Sequence, residues 1–277
     1  METPLPTITK QDAALHAEAQ KLVDAPRPLT SDEQDFVLEH WHEGADVTHN
    51  LDAAWFTPIE LAWEIRHMVE GPRILDLCAG TGRLARARLD DHDPTDPVSE
   101  MVCVERNPAY VKVGRKTVPE ATWICADVFD LAHTDLGQFD TVMANPPFGY
   151  TQRTGNGPRY RGRRFEYHVI DIASDLARTG VFIVPQIAAP FRCSGVPATT
   201  FDGGDGEYQR FVAATGVELV PGMELDTSIH DDAWRGVKPK VEVVMCRFGK
   251  RASPAPAPIG RPVALVAAGP AGQPGLW

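Results

Sequence analysis

Short apolar runs alternate with longer amphipathic stretches through most of the chain. The apolar runs predict strands at 73–78, 101–105, 122–125, 139–144, 180–184, 217–220 and 241–248. Helical periodicity separates the earlier runs, at 82–89, 107–116 and 165–178. Strands that alternate with helices favour a parallel sheet covered by helices on both faces. The pattern therefore predicts a doubly wound α/β fold with a seven-stranded, mostly parallel sheet, in which the last two strands could form an antiparallel pair.

The first 50 residues carry helical periodicity and no strand pattern. We predict helices near 8–23, at 31–43 and at 57–70. Ser31 is the expected N-cap of the second helix, with Gln34 completing a capping box, and Thr57 is the expected N-cap of the third. We therefore divide the chain into a helical N-terminal extension (1–50), an α/β domain (51–250) and a flexible tail (251–277) rich in proline, glycine and alanine.

Composition narrows the class of protein. Of the 277 residues, 43% are hydrophobic and 23% are charged, which is typical of a globular protein and excludes an intrinsically disordered chain. No apolar run approaches the roughly 18 residues of a membrane helix, and residues 1–10 lack the apolar segment of a secretory signal. The five cysteines are odd in number and show no CxxC spacing. We therefore expect no disulfides, no metal site, no membrane contact and a reducing, cytoplasmic setting.

One segment has a charge opposite to the rest of the chain. The net charge is −11, yet residues 150–165 contain five arginines and no acidic residue. These arginines, with Tyr150 and Tyr160 interleaved, could contact phosphates and stack on bases. Gly155, Gly157 and Gly162 suggest that the segment is mobile and becomes ordered on binding. A solvated surface loop is the alternative interpretation.

A glycine turn follows the first predicted strand. Residues 74–82 (ILDLCAGTG) describe a strand, a turn and the start of a helix, a pattern that lets the backbone approach a ligand closely. Glu105 ends the second strand, where an acid can accept hydrogen bonds from the ribose of an adenosine cofactor. Asp127 follows the third strand and could accept a hydrogen bond from the adenine amino group. Each of these residues alone also fits an ordinary turn, a helix cap or a solvated strand end.

The fourth strand runs into Asn145-Pro146-Pro147-Phe148, the most specific feature of the sequence. Ligands bind at the carboxyl ends of strands in open α/β sheets. The two prolines restrict the backbone, so that the Asn145 amide oxygen and the Pro146 carbonyl are presented as two acceptors for an NH2 group. Phe148 offers a flat face for a base.

Together these motifs resemble those of class I S-adenosylmethionine-dependent methyltransferases. The Asn-Pro-Pro-Phe tetrapeptide resembles that of enzymes that methylate exocyclic amino groups, namely the N6-adenine DNA methyltransferases and related RNA enzymes. Trp55-Phe56-Thr57-Pro58 looks like the additional motif that these enzymes place near the methionine end of the cofactor. The resemblance covers residues 50–185 through motifs and residues 186–248 only through the strand pattern.

The resemblance implies a Rossmann-like catalytic domain, S-adenosylmethionine as cofactor and nucleic acid as partner. The implied cofactor-binding residues are Thr57, Asp76, Cys78, Ala79, Gly80, Gly82, Glu105, Asp127, Val128 and Asn145. The implied catalytic residues are Asn145, Pro146, Pro147 and Phe148, which bind the target amino group and stack on its base. The expected nucleic-acid-binding residues are Arg153, Arg159, Tyr160, Arg161, Arg163 and Arg164.

Several alternatives remain open on the sequence alone. Because no target-recognition domain is visible, the chain could be a compact DNA enzyme, an enzyme that relies on a protein partner, or an RNA enzyme; adenine in DNA is favoured. Protein glutamine methylation uses a similar tetrapeptide that usually ends in tyrosine, and cytosine-C5 chemistry requires a Pro-Cys dipeptide that is absent. A catalytically idle nucleic-acid-binding subunit and a nicotinamide dehydrogenase are the other classes to separate.

Two further groups carry weaker signals. His40, His42 and His49, with neighbouring glutamates, fit a solvated helix better than a metal site. Residues 186–206 and the group Asp226, His230, Asp231, Asp232 and Trp234 could border a substrate cleft, but nothing in the sequence fixes their role.

Overall fold

The apolar runs form a central sheet in the computed structural model, which describes residues 9–42, 55–91, 93–134, 136–235 and 238–249. The strands are β1 (Arg73–Leu77), β2 (Glu100–Glu105), β3 (Thr122–Cys125), β4 (Phe139–Ala144), β5 (Ala177–Pro185), β6 (Phe191–Arg192), β7 (Thr200–Phe201), β8 (Val220–Pro221) and β9 (Val241–Arg247). Strands β6 and β7 form a separate antiparallel pair.

The main sheet has the order β3-β2-β1-β4-β5-β9-β8. The five strands from β1 to β5 pair in parallel, whereas β9 is antiparallel to both β5 and β8. The predicted doubly wound, seven-stranded and mostly parallel sheet is confirmed, and so is the antiparallel pairing of its last two strands. Because connections leave β1 and β4 towards opposite edges, the gap between these two strands is the position where such sheets bind ligands.

Helices cover both faces of the sheet. They are α1 (Lys10–Asp24), α2 (Ser31–His40), α3 (Ile59–Ile65), α4 (Arg83–Leu89), α5 (Pro108–Thr117), α6 (Phe165–Leu176) and α7 (Gly206–Thr215). Alternate residues of β1 enter different cores: Leu75 and Leu77 pack with α6 and α7, and Ile74 packs with α3 and α4. Because both faces of the central strands are buried, the sequences of these strands are mainly apolar.

The N-terminal helices form a third small core against α5. Trp41 and Val37 of this layer pack with Phe56 and Tyr110. The capping box is formed by Thr30 and Glu33, since the Thr30 hydroxyl accepts from the Glu33 N–H and the Glu33 carboxylate accepts from the Thr30 N–H. The prediction of Ser31 and Gln34 was therefore wrong by one residue.

Two other local predictions are corrected. Pro58 is the N-cap residue of α3, with no side-chain cap, so Thr57 does not cap that helix. The predicted strand at 217–220 is mostly extended loop, and pairing begins only at Val220. Helix α7 was not predicted, although Asp205 caps its first turn and Gly216, with φ of +68°, ends it. Both residue types mark helix ends.

Some expectations lie outside the described residues. These are the flexible tail at 251–277, the first eight residues and His49. Within the described part of the chain, no helix is long and apolar enough to cross a membrane.

Candidate active site

A cleft opens at the carboxyl ends of β1, β2 and β4. Its volume is about 910 Å³ including its open mouth. Most of the predicted cofactor and substrate residues line it: Thr57, Cys78, Ala79, Gly80, Glu105, Asp127, Val128, Asn145 and Pro147. Residues separated by up to 90 positions in the sequence thus converge on one cavity.

The glycine turn forms the floor of this cleft. Gly80 has a φ of +57° and Cys78 a φ of +58°, both in the left-handed region. A Cβ atom on Gly80 would lie 3.1 Å from the Phe56 ring, so glycine keeps this side of the cleft open. Gly82 has a different role, because a Cβ atom there would meet Val118 at 2.8 Å. It lets α4 begin against the neighbouring helix and does not line the cleft.

Glu105 is held in a fixed orientation at the end of β2. Its Oε2 accepts from the Gly80 N–H at 2.9 Å and its Oε1 from the Asn107 N–H at 2.7 Å. Burial raises the pKa of this carboxyl, while the backbone N–H groups act in the opposite direction. The two bonds tie the acid to the glycine turn, and the side chain lines the cleft.

Asp76 lies behind the turn and does not line the cleft. It is fully buried on β1, and neither carboxylate oxygen has a hydrogen-bond partner among the described residues. Burial, with a further contribution from Glu105, raises its pKa well above the ordinary value. Asp76 was predicted to bind the cofactor, but the structure places it beneath the turn and not on the wall of the cleft.

Asp127 joins the cleft to the arginine-rich segment. Its Oδ1 caps the short helix Val128–His133 by accepting from the Phe129 N–H at 3.1 Å. Its Oδ2 accepts from the Thr154 hydroxyl at 2.9 Å. The capping role anticipated as the plain alternative is therefore real, and it coexists with the position of this residue on the cleft wall.

Asn145 is oriented by its amide nitrogen. The Nδ2 group donates to the Trp55 carbonyl at 2.8 Å and to the Thr57 hydroxyl at 3.1 Å. Because the Trp55 carbonyl can only accept, it assigns the other amide atom as oxygen. That Oδ1 atom is buried and makes no hydrogen bond with the described residues. The segment Trp55–Thr57 thus leaves Asn145 with one unused acceptor in the cleft wall.

The other members of the tetrapeptide differ in position. Pro147 lines the cleft, whereas Pro146 is buried and Phe148 is half-buried beside it. The Phe148 ring lies 5.7 Å from the Trp55 ring at a tilt of 43°. Both rings pack at the border of the core formed by α3 and α4.

Helix α6 anchors the segment that follows the tetrapeptide. The Glu166 Oε2 accepts from the Gly149 N–H at 2.9 Å, and His168 Nδ1 accepts from the Gly157 N–H at 2.9 Å. Asp171 accepts from the backbone N–H groups of Arg159 and Tyr160. These three side chains are fully buried. Polar residues on the buried face of an otherwise apolar helix were a sequence signal that the prediction missed.

The arginines of residues 150–165 divide into two groups. Arg159 pairs with Asp171 and Asp175, and Arg164 makes a two-pronged contact with Asp205 and is only 4% exposed. The remaining three, Arg153, Arg161 and Arg163, make no ion pair with the described residues. Arg153 donates to Asn156 and to backbone carbonyls, and Arg161 donates to backbone carbonyls. The Arg163 guanidinium lies over the Tyr150 ring.

Tyr160 and the loop glycines serve packing in this structure. Tyr160 is 1% exposed and donates its hydroxyl hydrogen to Glu207, so its ring does not face a ligand. A Cβ atom on Gly155 would lie 3.0 Å from Phe129, and one on Gly157 or Gly162 would collide with Asp171 or Glu207. Close approach, rather than mobility, accounts for these glycines.

The weaker candidate groups lie apart from the main cleft. Buried Glu242 of β9 holds the start of the 186–206 segment by accepting from Gln186, Cys193 and Ser194. His230 contacts Glu64, and Trp234 is buried in the core. Among the described residues no group of histidine, cysteine or acidic side chains is arranged to hold a metal ion.

Comparisons with known proteins agree on the fold. No family model matches the sequence, and no curated protein is significantly similar to it. A protein from Listeria monocytogenes assigned to the class I S-adenosylmethionine-dependent methyltransferases matches in structure with a TM-score of 0.55 and 12% identity, over 89% of this chain and 84% of that one. A methyltransferase subunit of a type I restriction-modification system from Streptococcus thermophilus matches with a TM-score of 0.50 and 14% identity, over 79% of this chain. This match spans 49% of the Streptococcus protein. The chain therefore has the fold of the class I S-adenosylmethionine-dependent methyltransferases.

Proposed function

We propose that the protein transfers a methyl group from S-adenosylmethionine to an exocyclic amino group of a nucleic-acid base, with N6 of adenine in DNA as the first candidate. The observation that carries the proposal is the unused acceptor of Asn145. A buried polar atom without a partner needs an explanation. An amino hydrogen of a base is the donor that this position, at the end of β4 and in the wall of the cleft, would receive.

The cleft fits the proposed cofactor. Its wall combines acidic side chains with a glycine turn, and its mouth is open to a ligand. Glu105 would accept hydrogen bonds from the ribose hydroxyls, and Asp127 would accept one from the adenine amino group. The open face of Gly80 would admit the methionine part, with Thr57 at its carboxylate. When bound, S-adenosylmethionine supplies a methyl group on a positively charged sulfur.

The residues of this chain would prepare the target amine. The lone pair of an exocyclic amino nitrogen is delocalised into the ring, which makes it a poor nucleophile. Asn145 Oδ1 and the Pro146 carbonyl would accept its two hydrogens and draw the nitrogen towards a tetrahedral geometry. Phe148 would stack on the base. Catalysis of this kind depends on positioning and electrostatics, and no covalent intermediate is needed.

Two observations support nucleic acid as the substrate. The three arginines of residues 150–165 that make no ion pair with the described residues would supply positive charge for phosphates. One of the matched folds is a methyltransferase subunit of a restriction-modification system, which supports testing DNA first and looking for a protein partner in target recognition. Adenine N6 or guanine N2 in RNA is the alternative substrate, and an idle nucleic-acid-binding subunit is the alternative function.

Methyl-labelled S-adenosylmethionine tests the proposal directly. Purified protein would be offered duplex DNA, single-stranded DNA, total RNA and a protein extract, and the products would be digested to nucleosides for mass spectrometry. We expect N6-methyladenine in a nucleic-acid pool. Label in the protein pool alone, or in 5-methylcytosine, would contradict the assigned chemistry. Cofactor binding without any transfer would support the idle subunit.

A further inference from the structure

Tyr150 is exposed beside the candidate active site, in contrast to the other tyrosine of the same segment. Tyr150 is 69% exposed as a residue, whereas Tyr160 is 1% exposed. The Tyr150 hydroxyl makes no hydrogen bond with the described residues. Tyr150 follows Phe148 by two positions, so their Cα atoms lie at most about 7 Å apart. The structure gives this large side chain no packing role.

The backbone on either side of Tyr150 is fixed. The Gly149 N–H donates to Glu166 at 2.9 Å, and the Gly149 carbonyl accepts from the Phe165 N–H at 2.9 Å. The Thr151 hydroxyl donates to the Phe148 carbonyl at 3.0 Å. An exposed ring on a backbone that is already ordered loses little conformational entropy when it binds a flat partner.

Positive charge accompanies the ring. The Arg163 guanidinium lies 6.0 Å from the centre of the Tyr150 ring. Its backbone N–H is held by Glu207 at 2.9 Å, so this arginine is also attached to an ordered segment. An aromatic face next to an arginine that has no acidic partner among the described residues is the combination that binds unpaired bases and their phosphates.

We propose that the Tyr150 ring, with Arg163 beside it, is a stacking site for the unpaired base adjacent to the methylated one. The inference rests on the proposed function and deepens it, because it makes an unpaired or splayed-out strand the form of nucleic acid that the enzyme accepts. Phe148 would serve the target base and Tyr150 its neighbour. A fully paired duplex presents no free base face to this ring.

A double-mutant cycle between protein and substrate tests the site. Wild-type protein and the Tyr150→Ala and Tyr150→Phe variants would be compared on single-stranded oligonucleotides with one target adenine. A matched set would carry an abasic position on either side of the target. We expect Tyr150→Ala to lower kcat/KM by roughly five- to 150-fold, the range for removal of one base–aromatic stack, and Tyr150→Phe to retain most of the wild-type kcat/KM.

The coupling between the two changes is decisive. For the wild type, removing the neighbouring base should lower kcat/KM by about the same factor as the Tyr150→Ala substitution does. For the Tyr150→Ala variant, removing that base should lower kcat/KM little further. Independent, additive losses would overturn the stacking site while leaving the methyltransferase function intact. If the wild type methylates no nucleic acid, the proposed function fails and the stacking site with it. Cofactor affinity, measured by calorimetry, should be the same in all three proteins.

Discussion

Asn145 is held by its nitrogen, and this determines what its oxygen can do. With Nδ2 donating to the Trp55 carbonyl and the Thr57 hydroxyl, rotation of the amide would place its oxygen against the Trp55 carbonyl oxygen. The acceptor is therefore preorganised before any substrate arrives, and preorganised groups stabilise a transition state without reorganisation cost.

Asn145→Ala should abolish methyl transfer while leaving the cofactor Kd within about twofold of the wild type. Removal of one preorganised polar group in an active site lowers kcat by roughly 100-fold or more. Single-turnover kinetics and calorimetry would measure the two effects. Gln138→Ala, at an exposed amide near the start of β4, is a matched control and should change neither. A large loss of cofactor affinity in Asn145→Ala would contradict the assigned role.

The two glycines of the turn after β1 were predicted as one motif, but the structure gives them different roles. Gly80 was expected to leave room for a ligand, and the structure places it on the cleft floor beneath Phe56. Gly82 belongs to the same motif but is required by Val118 and Trp123, on elements distant in sequence. A motif shows that a small residue is needed, but the neighbour that needs it is set by tertiary packing.

Helix α6 holds the segment that follows the tetrapeptide through two buried groups with opposite titration behaviour. Burial raises the pKa of Glu166 to about 7 and lowers the pKa of His168 to about 4. Between its unfolded value near 4.5 and pH 7, Glu166 holds a proton that the unfolded chain has released, so its contribution to stability falls as pH rises. His168 does the reverse between about pH 4 and its unfolded value near 6.5, because only the unfolded chain takes up the proton there.

Glu166→Gln should therefore gain stability relative to the wild type as the pH rises from about 5 to 8. Denaturant unfolding at a series of pH values would measure the difference, which could reach about 3 kcal/mol. His168→Gln should show the opposite trend. Its free energy of unfolding should fall relative to that of the wild type as the pH rises from about 4 to 6.5. Difference curves that are flat for both variants would show that neither group titrates in this way.

The arginine-rich segment should separate into binding and structural residues. Replacing Arg153, Arg161 and Arg163 by alanine should weaken nucleic-acid binding and reduce the slope of log K against log salt concentration by up to roughly 0.7–0.9 for each phosphate that the variant no longer neutralises. The free energy of unfolding should fall only by the loss of hydrogen bonds to loop carbonyls and Asn156, since these side chains make no ion pair with the described residues. Fluorescence anisotropy at several salt concentrations measures the slope, and an unchanged slope would show that these arginines do not bind phosphates.

Arg164→Ala is the matched structural variant. Its guanidinium is buried against Asp205 and Tyr167. Its removal should lower the free energy of unfolding by about 2 kcal/mol, with a salt slope close to that of the wild type. The sequence predicted all five arginines as one binding patch, because the acidic partners lie on α6 and at the start of α7 and are brought to the segment only by folding.

Elements with a strong local pattern were predicted well, and those that depend on distant partners were not. The central parallel strands are mainly apolar because both of their faces are buried, so the sequence pattern showed their positions. Strand β8 has only two residues, and its pairing is defined by β9. Most of the residues that the motifs at strand ends singled out line the cleft, and their binding roles stay predictions. The roles of Glu166, His168 and Glu207 were not, because each acts on a backbone segment that no local pattern connects to it.

Arg83 joins the N-terminal layer to the cleft and so acts at the scale of the whole molecule. Its Nε donates to the Leu38 carbonyl at 3.0 Å and its Nη1 to the Thr57 carbonyl at 2.9 Å. The guanidinium also lies 5.5 Å from the centre of the Phe56 ring. One buried side chain thus fixes α2, the segment that orients Asn145, and the ring above Gly80.

Arg83→Met should weaken cofactor binding several-fold and lower the free energy of unfolding by about 2–3 kcal/mol, since its bonds to two carbonyls and its packing on the ring disappear together. Arg86→Met is the matched control: Arg86 also reaches α2, through Ser31 and Gln34, but does not contact Thr57. It should lower stability modestly and leave the cofactor Kd unchanged. Equal effects of both variants on the Kd, measured by calorimetry, would show that Arg83 acts only through overall stability.

The place of β9 between β5 and β8 has a consequence for synthesis on the ribosome. Strand β5 pairs with β9 along residues 179–185, yet its partner is made several tens of residues later. At roughly 5–20 residues per second, the nascent chain carries an apolar, unpaired strand edge for several seconds. The closing step of folding must therefore wait until β9 has left the ribosome. A gene interrupted by a stop codon before residue 241 should yield insoluble product, whereas one interrupted after residue 249 should not.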